Sequence, residues 1–150
     1  MERRKPRVLI ADVPELESAW RACLAAHEVT FACGLAQASE AAQARRYDLV
    51  VVGMHFDDSQ MFALLDELRG NVQRWPRALV CVRAKPTALS AAGRKAAEEA
   101  VLWLGADAYI DATQHPGGLR ELCRDLERML AWSAGLHPAS PLQPSESRER

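Results

Sequence analysis

The sequence predicts an α/β fold: a doubly wound, five-stranded parallel sheet with helices on both faces. Two observations carry this reading. Short runs rich in Val, Ile and Leu alternate five times with longer segments of helical periodicity. The strand runs are continuously apolar rather than alternating, which suits strands covered on both faces. Right-handed crossovers then reduce the possible topologies to a (βα)5 sheet in the flavodoxin-like order.

Each element has a local cause. Val8, Leu9, Ile10 and Ala11 form the first apolar run, ended by Asp12 and Pro14. Leu16, Ala19, Trp20, Cys23 and Leu24 recur at i, i+3, i+4, i+7 and i+8, one face of a helix. Glu28 to Ala32 is β-branched and aromatic and reads as the second strand. Leu35 to Arg46 is rich in Ala, Gln and Glu, which favour helix. The third strand is Leu49 to Val52, left at Gly53, and Met61, Leu64, Leu65 and Leu68 mark the third helix, with Gly70 at its C-cap. Ala78 to Val82 is the fourth strand. The fourth helix runs from Leu89 to Leu104 and stops at Gly105. Ala108 to Ile110 is a short fifth strand, and Leu119, Leu122, Cys123, Leu126, Met129 and Leu130 give the apolar face of the fifth helix. Pro6, Pro14, Pro76, Pro86 and Pro116 fall at element boundaries, where a missing N–H is tolerated.

The organisation expected is a basic tail over 1–6, one domain over 7–134 and a disordered Pro- and Ser-rich tail over 135–150. Hydrophobic residues at 49% and charged residues at 26% are the balance of a soluble globular chain. A net charge of −1 argues against nucleic acid or an anionic membrane as partner, and the basic run Arg3, Arg4, Lys5 and Arg7 is too short to reverse that. No apolar run reaches the roughly 18 residues of a spanning helix, and no signal peptide opens the chain, so the expected location is the cytoplasm. Cys23, Cys33, Cys81 and Cys123 show no CxxC spacing and are expected to be unlinked, small core residues.

Ligands of an open parallel sheet gather beyond the carboxyl ends of its strands. Those ends are Asp12, Cys33, Gly53, Arg83 and Asp111, followed on the third loop by His55, Asp57 and Asp58. Four segments there, PRVLIAD (Pro6 to Asp12), YDLVVVG (Tyr47 to Gly53), FALLDELR (Phe62 to Arg69) and GADAYI (Gly105 to Ile110), together resemble the receiver domain of two-component response regulators. The resemblance covers Pro6 to Leu130. It implies a pair of acids for Mg²⁺ after the first strand, a phospho-accepting Asp after the third, a Thr or Ser after the fourth and a Lys after the fifth. The matching positions hold Asp12 followed by Val13, then Gly53, Arg83 and Ala112, with Thr113 in place of the expected proline. Phosphoryl transfer to Asp needs a carboxylate nucleophile, a divalent cation and a charge to hold the product oxygens. The expectation is a degenerate, stand-alone receiver, not an enzyme, without cofactor, acting through a protein partner or a second copy of itself.

Several side chains have rival readings. Asp57 or Asp58 is either a displaced phosphoryl acceptor or, preferred, part of the cap of the third helix, with Asp58 or Ser59 at its N-cap. Asp12 and His55 are weak metal candidates, since no fixed ligand spacing supports them. Arg83 is expected either to pair with Asp12 in the vacated pocket or to face solvent. Gly53 leaves room for a small ligand to approach the backbone, although no GxGxxG, Walker, GxSxG or HExxH motif is present. Trp103 and Tyr109 are expected on the interaction face, which the resemblance places around the fourth helix and fifth strand.

Overall fold

The computed structural model describes residues 4–85 and 90–133, with the side chains of 132 and 133 excepted. Pro86 and the expected tail over 135–150 lie outside these residues. Five strands are formed: β1 (Arg7–Ala11), β2 (Glu28–Ala32), β3 (Leu49–Gly53), β4 (Leu79–Arg83) and β5 (Ala108–Asp111). Among the described residues five helices of seven residues or more alternate with them: α1 (Glu17–Cys23), α2 (Leu35–Ala44), α3 (Met61–Arg69), α4 (Ala91–Trp103) and α5 (Gly118–Ser133). The strand order is β2-β1-β3-β4-β5, and every pairing is parallel. The doubly wound sheet expected from the sequence is the sheet observed.

Alternation along the strands divides the core into two layers. Leu9, Ala11, Val50, Val52, Leu79 and Cys81 pack with α2, α3 and α4 through Ala38, Ala42, Leu64, Leu68 and Val101. Val8, Ile10, Leu49, Val51, Val80 and Val82 pack on the other face with Trp20 and Leu24 of α1 and Leu122 and Leu126 of α5. This parity decides where each strand-end side chain points.

Helix ends follow local chemistry. Ser90 caps α4, its hydroxyl accepting the Gly93 N–H at 3.0 Å. Gly105 follows α4 at φ +110°, a conformation that favours glycine, and a Cβ there would stand 2.9 Å from the Trp75 ring.

The cysteine expectation fails. Cys23 on α1 and Cys123 on α5 are joined by a disulfide across 100 residues of chain. Both helices lie on one face of the sheet, with Cα atoms 5.5 Å apart, so the fold creates a proximity that spacing along the chain does not express. Cys81 is a buried core residue, as expected, and burial pushes its thiol up to about 12, while Cys33 is exposed. Among the described residues no helix is long and apolar enough to cross a membrane.

Candidate functional site

The carboxyl ends of β1, β3, β4 and β5 bring Asp12, Gly53, Arg83 and Asp111 to one edge of the sheet. Asp12 extends the β1 ladder, its N–H donating to the Ala32 carbonyl at 3.2 Å, and it is only 2% exposed. One carboxylate oxygen accepts the Val13 N–H at 2.8 Å. The other accepts the indole N–H of Trp20 at 2.8 Å. Burial raises the Asp12 pKa above the ordinary aspartate value, and the two hydrogen bonds, with the charges of His55 and Lys85, only partly offset this.

Gly53 is the reason the carboxylate fits. A Cβ built on Gly53 would lie 2.1 Å from Oδ1 of Asp12 and 2.4 Å from its Cγ. No side chain at position 53 can coexist with Asp12 in this place. The same contact closes the space through which a small ligand was expected to reach the backbone of Gly53.

Arg83 does not pair with Asp12, and the expected ion pair is corrected. Arg83 is 3% exposed, and its Nη1 donates to the Asp111 carboxylate at 3.0 and 3.2 Å and to the Thr113 hydroxyl at 2.8 Å. Parity explains the outcome. Asp12 continues the Val8–Ile10 series toward α1 and α5, while Arg83 continues the Leu79–Cys81 series toward α4. The two therefore project from opposite faces of the sheet. Arg83 and Asp111 instead face each other directly in the β4–β5 register. Burial pushes the Asp111 carboxyl up, but the Thr113 hydroxyl and N–H and the Arg83 guanidinium outweigh it, leaving the pKa below the ordinary value. Ala112, at the position where the resemblance implies a Lys, is buried against the α1 and α5 face.

The loop after β3 takes an unusual backbone path. Asp57, Asp58 and Ser59 have φ of 45°, 59° and 70°, three successive non-glycine residues in the left-handed region. The turn aims Asp57 at the start of α2, where its Oδ2 accepts the Leu35 N–H at 2.6 Å. The N-cap of α2 is Gly34, which has no side chain to serve that donor. The expected cap of the third helix is therefore corrected. Gln60 stands at the N-cap of α3 without a side-chain bond, and Asp57 caps α2 instead. Asp58 is exposed. His55 turns toward Lys85, its Nε2 3.4 Å from that carbonyl oxygen, and Lys85 bridges to Glu15 at 2.7 Å.

The donor set does not fit Mg²⁺. Both Asp12 oxygens are engaged by N–H donors, Val13 and Gly53 offer no side-chain oxygen, and Asp57 is committed to α2. Among the described residues no three His, Cys, Asp or Glu side chains group as metal ligands.

Trp103 and Tyr109 are separated. Trp103 ends α4 and is 83% exposed. Tyr109 is half-buried, packs against the core and has its hydroxyl 3.9 Å from the Met54 sulfur.

Solved structures share this architecture throughout. The receiver domain of a Francisella response regulator superposes with a TM-score of 0.64 at 18% identity, over 85% of this chain and 98% of that one. The BeF3-activated receiver domain of Klebsiella pneumoniae RstA gives 0.62 at 22% identity, over 83% and 97%. The receiver domain of a Pseudomonas aeruginosa sensor histidine kinase, with magnesium coordinated in its active-site cleft, gives 0.65 at 18% identity, over 87% and 98%. The chain has the receiver fold. No known family profile matches its sequence, and no curated protein matches it.

Sequence reasoning placed Asp111 and Thr113 among the strand-end residues without giving either a partner, and it missed Trp20. Trp20 was visible only as a core residue of the α1 stripe, although a buried indole needs an acceptor and Asp12 precedes it closely. Asp111 was visible as a strand end, and counting parity along β4 and β5 would have matched it to Arg83.

Proposed function

We propose that this chain is a receiver-like signalling module that acts without phosphorylation, by presenting a surface to a protein partner in a two-component or phosphorelay pathway. One observation carries the reading. The space that a side chain on residue 53 would need is taken by the Asp12 carboxylate, held there by Trp20 and Val13. The residue at the acceptor position thus has neither a nucleophile nor room for one, and the acid that would neighbour a cation is turned into the protein. Arg83, Asp111 and Thr113 form a second set of internal bonds on the other face of the same sheet edge. Asp12, Arg83, Asp111 and Thr113 are each hydrogen-bonded within the protein, so a single conformation is favoured and the exposed surface is left to carry the signal.

The test is incubation with acetyl phosphate and Mg²⁺, read by intact mass. The expected result is no gain of about 80 Da, the mass of one phosphoryl group. A stable adduct would overturn the proposal. If Asp57→Ala or Asp58→Ala then removed it, a rearranged phospho-accepting site would take its place.

A further inference from the structure

The opposite edge of the sheet carries a surface of a different kind. Trp103 is 83% exposed and Val72, in the turn between α3 and β4, is 74% exposed. They share a shallow groove with half-buried Trp75 and Leu104, flanked by Arg46 and Arg69. No acidic residue lines it. Arg46 is held in place, its Nε donating to the Trp75 carbonyl at 2.8 Å, yet neither Arg46 nor Arg69 takes part in an ion pair among the described residues. Two other grooves differ, one lined by Asp111, Asp125 and Arg128 and one by Arg120, Arg124 and Glu127, each mixing both signs.

From this geometry we infer that the Trp103 groove docks a partner protein through an acidic segment bearing one large apolar side chain. The inference rests on the proposed protein-binding function and names the chemistry of its partner. A large indole left in water beside two unneutralised guanidinium groups has the composition of an interface hot spot. The apolar side chain would cover Trp103 and Val72, and flanking carboxylates would meet Arg46 and Arg69. A second copy using the same surface would set these arginines against their own counterparts, which like charges oppose. The chain's own C-terminal residues have no acidic excess, since Glu146 and Glu149 are matched by Arg148 and Arg150. Nucleic acid fits less well, because two cations beside aliphatic Val72 and Leu104 make a poor phosphate track.

The experiment uses the full chain and an immobilised peptide library with a central Trp, Phe or Leu flanked by Glu and Asp, beside a matched library with Lys in place of the acids. The expected result is binding of acidic peptides only, weakened by salt, with NMR shifts at the Trp103 indole and Val72. Trp103→Ala and Arg69→Glu, both at exposed positions, should each weaken it roughly tenfold or more with the fold retained by circular dichroism. Absence of peptide binding, equal binding of the Lys library, or shifts confined to other surfaces would overturn the inference. So would sedimentation showing a dimer that Trp103→Ala dissolves, or preferential binding of a short single-stranded oligonucleotide. A phosphoryl adduct under acetyl phosphate with acidic-peptide binding intact would defeat the phosphorylation-independent reading alone. Lost peptide binding with no adduct would defeat this inference alone.

Discussion

The carboxyl edge of the sheet and the Trp103 groove at its amino end treat their polar groups in opposite ways. At the carboxyl edge, Asp12 and Arg83 are 2% and 3% exposed and are bonded to Trp20, Val13, Asp111 and Thr113. At the amino edge, Arg46 and Arg69 lack ion-pair partners among the described residues and Trp103 stands in solvent. Buried polar groups are tolerable only when satisfied, so the first edge is committed to folding. Cations without an ion-pair partner are tolerable at an exposed surface, so the groove side chains are not committed to folding. Substitutions at the carboxyl edge should therefore cost stability, and those at the exposed side chains of the groove should not.

The largest effect is expected where the carboxyl edge is tightest. Gly53→Asp places a carboxylate at the third strand end, but its Cβ would begin 2.1 Å from Asp12 Oδ1. The clash, the like charge and the broken Trp20 bond should together cost about 4 kcal/mol or more in urea unfolding. Asp12→Ala in the same chain should recover part of this, with an interaction energy of about 1–3 kcal/mol in the double-mutant cycle. Additive effects would show that Asp12 is free to leave the Gly53 backbone.

Next comes Arg83→Met, which leaves the Asp111 carboxylate without its buried partner and should cost about 3 kcal/mol. The Asp111 pKa should then rise toward the ordinary aspartate value, a shift readable by carbon NMR. The pair also gives Asp111 a defined pH dependence. Its folded pKa is depressed, so its stabilising contribution is present above the unfolded value and is lost as pH falls through the folded pKa. Asp12 runs the other way. Its folded pKa is raised, so ionised Asp12 costs stability above that pKa, and the cost is relieved as pH falls toward the unfolded value. Two carboxylates at one sheet edge should thus titrate on opposite sides of the ordinary value. Trp20→Phe removes one of the bonds holding the Asp12 pKa down, so it should raise that pKa further and cost about 1–3 kcal/mol.

How much of this was legible depends on whether a contact follows from periodicity or from side-chain direction. Val8–Ala11, Leu49–Val52 and the α1 and α5 stripes declare themselves by composition, and the sheet order follows from handedness. The residues at Val13, Gly53, Arg83 and Ala112, which the resemblance matches to receiver site positions, can be read from one line of sequence. Where the remaining side chains turn was not legible. Pairing Arg83 with Asp12 assumed that strand ends sharing an edge also share a face, whereas counting by twos from Ile10 and Cys81 separates them. The Cys23–Cys123 bridge and the Asp57 cap of α2 are long-range contacts, spanning 100 and 22 residues, and no local pattern encodes them.

Asp57 lies between the two extremes. Asp57→Ala removes the acceptor of the Leu35 N–H and should cost about 1 kcal/mol, the usual value of a lost helix cap. The left-handed φ of 45° adds a second handle. Asp57→Gly loses the same cap but relaxes the backbone, so it should cost less than Asp57→Ala. Equal costs would mean that the turn carries no strain.

The smallest stability effect is expected at Trp103. In most proteins truncating a tryptophan opens a cavity and costs about 3–5 kcal/mol. Here the ring is 83% exposed and is not part of either buried cluster, so Trp103→Ala should change unfolding stability by no more than about 0.5 kcal/mol. A larger loss would mean that the indole is packed in solution and unavailable to a partner, and the contrast between the two edges would fail at its exposed end. A negligible loss, measured on the same protein sample that has lost acidic-peptide binding, would separate the two edges by function: one holds the receiver fold in a single arrangement, and the other is maintained at no benefit to folding.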